Sequence, residues 1–276
     1  MNYIELIEDE IKKFHPIEVE QKITSGIIVG AGDSYAVALT LEGKTGKKAI
    51  AVDPYDALHI NSDRPYVIVS ISGRTKTNIE LAKIKRKEGR KVIAVTANPT
   101  SPLAENSTET ILIPYNSNIT LPGTLSFLLA LSAVYSLFGI EIPKDYIKAK
   151  SFELREKPFF VGQGENYGIA YYSALKLNEI FCETANYERF ELFLHSPIFS
   201  TRGRQIVLLN SGSERERRLK QLIDFTYIYL TECTDAFCNA LTVILALIEK
   251  MKRENWNRIC FLDDNKILNI SSEMIY

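Results

Sequence analysis

Tyr66–Gly89 reads YVIVSISGRTKTNIELAKIKRKEG, a strand-like run joined to a helix-like one through a turn crowded with hydroxyls. Tyr66 to Ile71 is a continuous, largely β-branched stretch, the pattern of a strand covered on both faces. From Thr75 onward the apolar residues, Ile79 and Ala82 among them, fall at helical spacing. Between the two runs Ser70, Ser72, Thr75 and Thr77 surround Gly73. Glycine lets a backbone approach a ligand closely, and the first turn of a helix offers unpaired N–H groups and the positive end of a dipole. Together these features describe a cradle for an anion such as a phosphate. They also suit an ordinary βα turn in which Ser or Thr caps the helix, so the segment alone leaves both readings open.

Working outward, the stretch Val29-Gly30-Ala31-Gly32-Asp33-Ser34-Tyr35-Ala36-Val37-Ala38 is echoed by Val161-Gly162-Gln163-Gly164-Glu165-Asn166-Tyr167-Gly168-Ile169-Ala170. Each copy follows an apolar run and precedes a helix-like one, which points to a duplicated α/β unit. Strands are expected at Gly26–Val29, Lys48–Val52, Tyr66–Ile71, Val92–Thr96 and Thr110–Ile113. A second set is expected at Pro158–Gly162, Gln205–Leu209, Phe225–Leu230 and Arg258–Leu262, with helices between. Short crossovers of this kind make parallel sheets with helices on both faces. The expected architecture is therefore α/β, two subdomains of the three-layer, flavodoxin-like kind, divided as residues 1–143 and 144–276. In such sheets ligands bind beyond the carboxyl ends of the strands, where Gly30–Ser34 and Ser70–Thr77 both lie and can line one pocket.

Composition excludes several classes. Hydrophobic residues at 46% and charged residues at 24% describe a globular protein, and a net charge of −1 argues against a large nucleic-acid footprint. Glu5, Glu8, Asp9 and Glu10 interrupt anything resembling a signal peptide, so a cytoplasmic protein is expected. Cys182, Cys233, Cys238 and Cys260 form no C-x-x-C pair and are read as reduced core residues, and with only His15, His59 and His195 no metal cluster is expected. Leu121–Ile140 is apolar almost throughout, but Pro122, Gly123 and Thr124 mark a helix start, and a buried helix packed between the two halves is expected in place of a membrane span. Tyr35 and Tyr167 stand where a dinucleotide fingerprint needs its third glycine, and Ala38 breaks a P-loop reading of Gly43-Lys44-Thr45.

Three further residues carry chemistry. Lys176 and Glu179 are three apart on one helical face, either as a surface ion pair or as an acid/base pair at a pocket. His195 sits between an apolar run and Pro197, which places it on a loop, where it is either structural or a proton-transfer group.

These residues together resemble the tandem SIS (sugar isomerase) domain family, and more closely the isomerase half of glucosamine-6-phosphate synthase. The likeness rests on Ser70-Ile71-Ser72-Gly73-Arg74-Thr75, which is similar to the family's S-x-S-G-x-T phosphate loop. It rests also on Gly30 to Tyr35, on Ala174 to Ile180, and on Glu191 to Pro197. The resemblance implies that Gly32, Ser34, Ser70, Ser72, Gly73 and Thr75 bind a sugar phosphate. It implies that Glu179 shuttles a proton between C1 and C2 of an open-chain hexose, with Lys176 supporting it and His195 helping to open the ring. It further implies a homodimer that uses no metal or organic cofactor. Met1-Asn2 supplies no amino-terminal cysteine, the last residues lack the family's lysine-bearing tail, and Arg74 replaces an acidic or neutral residue. The expected function is isomerisation or deamination of a hexose 6-phosphate such as fructose 6-phosphate or glucosamine 6-phosphate. The alternative is a non-catalytic phosphosugar sensor, which needs the loop but not Glu179 or His195.

Overall fold

The computed structural model describes all residues, Met1–Tyr276. They form two compact units that are each discontinuous in sequence: a first of Lys13–Ile142 with Asp264–Tyr276, and a second of Met1–Lys12 with Pro143–Asp263. Helix α1 (Tyr3–Ile11) opens the chain. The first unit then runs β1 (Gly26–Val29), α2 (Asp33–Thr45), β2 (Ala49–Val52), α3 (Pro54–Ala57), β3 (Tyr66–Val69), α4 (Lys76–Lys87), β4 (Val92–Thr96), α5 (Pro102–Glu105), β5 (Glu109–Leu112) and α6 (Leu125–Leu137). Past a 3-10 turn at Lys144–Lys148, the second unit continues with β6 (Phe159–Gly162), α7 (Asn166–Phe181), β7 (Asn186–Arg189), α8 (Phe190–His195), β8 (Ile206–Leu209), α9 (Glu214–Leu222), β9 (Ile228–Leu230), α10 (Ala236–Arg253) and α11 (Cys260–Asp263). Helix α12 (Asn265–Ile275) closes the chain.

The first sheet has the order β2-β1-β3-β4-β5 and the second β7-β6-β8-β9, all parallel. Allowing for numbering, the second repeats the first over four strands. The central strands β1, β3, β4, β6 and β8 are buried along their whole length, as their unbroken apolar runs require of strands sandwiched between helices. Ile27, Ile68, Leu81 and Val92 anchor one core, and Phe159, Phe193, Ile206 and Leu219 the other.

The apolar run Leu121–Ile140 contains the 13-residue α6, buried on all but one of its residues and packed on α2 and β4 of its own unit. No helix is long and apolar enough to cross a membrane. The terminal helices are fixed by polar contacts. Glu8 of α1 pairs with Lys252 of α10 at 2.7 Å, and Tyr3 N donates to Asn257 Oδ1. Lys76 Nζ at the start of α4 donates to the Glu273 carbonyl of α12.

Three expectations are corrected. Arg258–Leu262 is not a strand but leads into the short α11, because a brief apolar run does not distinguish strand from helix and the second sheet ends at β9. β7, Asn186-Tyr187-Glu188-Arg189, is a strand that hydrophobic patterning misses, since at a sheet edge its polar side chains face water. The cysteines are not reduced. Cys182 bonds Cys260 and Cys233 bonds Cys238, with Cα–Cα distances of 5.7 and 5.5 Å, and Cys182 is exposed, not in a core. Residues 78 apart cannot be paired by inspecting spacing. The chain-entropy account gives the long loop about 4 to 5 kcal/mol of stabilisation and the short ring about 2.

Candidate functional site

In the first unit β1 and β3 are neighbours, so their carboxyl ends deliver Gly30–Ser34 and Ser70–Thr75 side by side. A Cβ on Gly30 would come within 2.6 Å of Ser34, so only glycine lets β1 turn this sharply into α2. Gly32 caps α2 with φ +57°, leaving that helix without a side-chain cap. The β3–α4 loop is tighter still. Gly73 has φ +65°, and a side chain there would overlap the hydroxyl of Ser101. Its N–H donates to Ser70 O at 3.1 Å, and its carbonyl accepts from Leu103 N at 3.1 Å. Thr96 Oγ1 and Ala97 N both donate to Ile71 O, which moors the loop to β4.

Helix α4 begins without a side-chain cap and without an acid in its first turn, although Thr75 occupies the N-cap position. Its unpaired N–H groups thus open on the loop that carries Gly73, Ser70, Ser72 and Thr75, at one end of a 12-residue helix. Ser72 Oγ meanwhile accepts from Arg74 N at 3.3 Å. The arrangement is that of an anion-binding corner. Beside it a cavity of about 310 Å3 is lined by Ile71, Tyr115, Ser117, Thr120 and Ser126. Gly123 lies so close to the Asp33 carboxylate that a Cβ would collide with it, which sets the loop before α6 against the start of α2. These cavity residues were not singled out from sequence. The available signal was the Tyr115–Thr124 stretch, whose hydroxyls and Pro-Gly pair precede an apolar helix.

The remaining expected residues belong to the second unit. Lys176 and Glu179 are brought together on α7 as an ion pair, but Lys176 is fully buried while the Glu179 side chain is 32% exposed. The surface-pair reading is therefore corrected: the ammonium is buried, 5.2 Å from the centre of the Tyr172 ring, and meets a carboxylate that is only partly exposed. Lys176 holds Oε2 of Glu179. His195 ends α8 and does not sit on a loop, since Pro197 two residues later stops the helix. Its side chain is 74% exposed and its Nε2 lies 3.7 Å from Glu191 Oε1, so its ionic neighbour is Glu191 and not Glu179. Arg215 donates to Glu191 at 2.7 Å and holds that carboxyl below its ordinary value. No cluster of three or more His, Cys, Asp or Glu side chains is arranged to hold a metal ion.

The parallel sheets and the uncapped, hydroxyl-bearing βα corner define an α/β fold whose first sheet leaves a helix N-terminus open, and comparison with known proteins narrows the class. Residues 22–139, which contain both glycine loops and α6, match the SIS domain family. No curated protein sequence matches the chain. Among solved structures it is similar to glucosamine-6-phosphate deaminase from Thermotoga maritima, with 18% identity and a TM-score of 0.68 over 91% of each chain. It is similar to the C-terminal domain of glucosamine-fructose-6-phosphate aminotransferase from Francisella tularensis, with 16% identity and a TM-score of 0.61 over 90% of this chain and 94% of that one. Tagatose-6-phosphate ketose/aldose isomerase from Escherichia coli follows the same pattern, at 16% identity and 0.59 over 90% and 87%. At these identities the likeness is one of fold.

Proposed function

We propose that the protein is a phosphosugar enzyme that isomerises a hexose 6-phosphate, or deaminates and isomerises an amino-sugar phosphate. The observation that carries the reading is the open corner at Ser70–Thr75, where a helix of 12 residues starts with neither a side-chain cap nor an acid. In this reading Ser70, Ser72, Gly73 and Thr75 bind the phosphate, with Gly32 and Ser34 in the adjoining loop. Binding energy from the phosphate, remote from the reacting carbons, holds the sugar in register. Glu179 removes a carbon-bound proton and returns it to the adjacent carbon through an enediol, and Lys176 sets the carboxylate's orientation by holding one of its oxygens. His195 assists ring opening, and the active form is a homodimer. The solved structures of similar fold support the substrate class, since those named above act on hexose or hexosamine 6-phosphates by their names.

The test is proton exchange in deuterated water. Fructose 6-phosphate or glucosamine 6-phosphate should acquire deuterium at C1 or C2, and Glu179→Gln should abolish this while leaving binding. Ser72→Ala and Thr75→Ala should weaken binding by about 1 to 3 kcal/mol each, the usual loss for a charge-assisted hydrogen bond. Tight binding with no exchange on any hexose phosphate would convert the reading to a sensor. No binding at all would end both.

A further inference from the structure

Cys182 closes α7 in the left-handed region, φ +53°, a conformation that glycine adopts freely and that other residues resist. A cysteine at that strained position is accounted for by its bond to Cys260. Residues 250–260 hold the end of α7 at three points. Lys250 Nζ pairs with Glu183 Oε1 at 3.0 Å, Trp256 Nε1 donates to the orphan carbonyl of Ile180 at 2.8 Å, and Cys260 bonds Cys182. Of the two disulfides this is the one a solute can reach, because Cys182 is exposed and Cys260 half-buried. The other disulfide is shielded, with Cys233 7% and Cys238 2% exposed. Glu179 lies three residues before Cys182, in the final turn of the same helix.

We propose that Cys182–Cys260 is a thiol–disulfide exchange site for a dithiol reductant, and that its reduction loosens the last turn of α7, which carries Glu179. A thiolate of the dithiol attacks Sγ of Cys182, the more exposed residue of the pair. A new S–S bond forms there while the Cys182–Cys260 bond breaks, and its electron pair leaves on Cys260 as a thiolate. The second thiolate of the reductant then attacks its own sulfur in the mixed disulfide, freeing the Cys182 thiolate. The dithiol ends as a cyclic disulfide, oxidised by two electrons, and its two protons pass to the two cysteines or to solvent. Rates of such exchange follow access to the attacked sulfur, so the exposed pair reacts first. Without the clasp, Cys182 keeps an unfavourable backbone with only the Lys250–Glu183 and Trp256–Ile180 contacts left to hold the turn, which then frays more readily.

The experiment uses the whole oxidised protein and limiting dithiothreitol, with free thiols alkylated at intervals and located by mass spectrometry. Cys182 and Cys260 should become alkylated together, at least tenfold faster than Cys233 and Cys238. In the same samples amide hydrogen exchange at Leu177–Cys182 should rise at least tenfold, with the first turn of α7 unchanged. Cys182→Gly supplies a residue suited to the left-handed position, so its helix end should exchange slowly whatever the reductant. The proposal is overturned if the two pairs reduce at equal rates or in the reverse order. It is equally overturned if all four cysteines are free thiols after air oxidation, or if exchange in α7 ignores reduction. The readouts are thiols and amides, so the result does not depend on the sugar-phosphate reading.

Discussion

The loop from β3 to α4 and the loop from β8 to α9 occupy the same place in two sheets of the same strand order, yet one is open and the other is filled. Both units need a glycine where the first strand meets its helix: a Cβ on Gly162 would reach 2.8 Å from Tyr167 N, as one on Gly30 would crowd Ser34. The backbone device is thus repeated. At Asn210–Ser213, however, the protein supplies its own anion. Glu216, 2% exposed, accepts from Ser211 N at 2.8 Å, Ser211 Oγ at 2.9 Å and Ser213 N at 3.3 Å, and Ser213 completes a capping box. Asn166, where the first copy has Ser34, is buried and donates to Asn210 O, and Asn239 donates to Asn166 Oδ1. The carboxyl edge of the second sheet is closed by side chains. A carboxylate that accepts from a serine hydroxyl and two loop N–H groups shows what chemistry such a corner satisfies, and at Ser70–Thr75 no acid of the first turn takes that place.

The largest difference between the loops should appear at their glycines. Gly73→Ala meets both a positive φ and the Ser101 side chain, and should cost on the order of 4 kcal/mol. Gly212 also has a positive φ, +85°, but the nearest atom to a new Cβ is Thr234 Cγ2 at 3.9 Å, so Gly212→Ala should cost about 1 to 2 kcal/mol. Urea unfolding midpoints measured at constant slope decide this. Equal costs would mean that the two loops are equally constrained and that the tightness of the first has nothing to do with a ligand.

A smaller effect, and a sharper one, comes from emptying the filled corner. Glu216→Ala leaves Ser211 N, Ser211 Oγ and Ser213 N without their acceptor and should destabilise by about 2 to 3 kcal/mol. Inorganic phosphate should then raise the melting temperature of the variant more than that of the wild-type protein, because it binds only the folded form. A variant that gains no more than the parent would show that the corners differ in backbone shape as well as occupancy.

Much of this contrast was legible before any coordinates. The Gly30 and Gly162 copies, the burial of β3 and the helix after Thr75 all follow from apolar runs and glycine spacing, because steric demands act locally and leave a residue signature. The glycine turn at Ser70–Thr75 belongs to this readable class, although its openness does not, since the lack of a side-chain cap at Thr75 depends on rotamers. Ser213 and Glu216 carry capping-box spacing, but the two bonds from Ser211 that make Glu216 a plug leave no trace in that spacing. Burial of Lys176 was hidden for a related reason: an (i, i+3) charge pair has the same spacing whether the helix face meets water or Tyr172. The disulfide joining Cys182 to Cys260 is a long-range fact about where two chain segments meet, and composition carries no record of it.

Glu191 gives the smallest expected effect and the counterpart of Glu216, because both carboxylates lean on the start of α9 but only one is buried. The Arg215 hydrogen bond and charge hold the Glu191 carboxyl below its ordinary value, with His195 adding to the same direction. A carboxyl lowered on folding stabilises the native state above its unfolded pKa, and that contribution is lost as pH falls through the folded value. Arg215→Ala should therefore move the Glu191 titration upward in a side-chain NMR experiment. It should lower stability slightly at neutral pH, with the difference from wild type vanishing in acid and shrinking in salt. Arg215 N donates to Ser213 Oγ through the backbone, so the substitution keeps the capping bond of the plug. If Arg215→Ala also changed the response of Glu216→Ala to phosphate, the filled corner would depend on the charge of α9, and the contrast with Ser70–Thr75 would be electrostatic in origin and not a matter of which atoms occupy the loop.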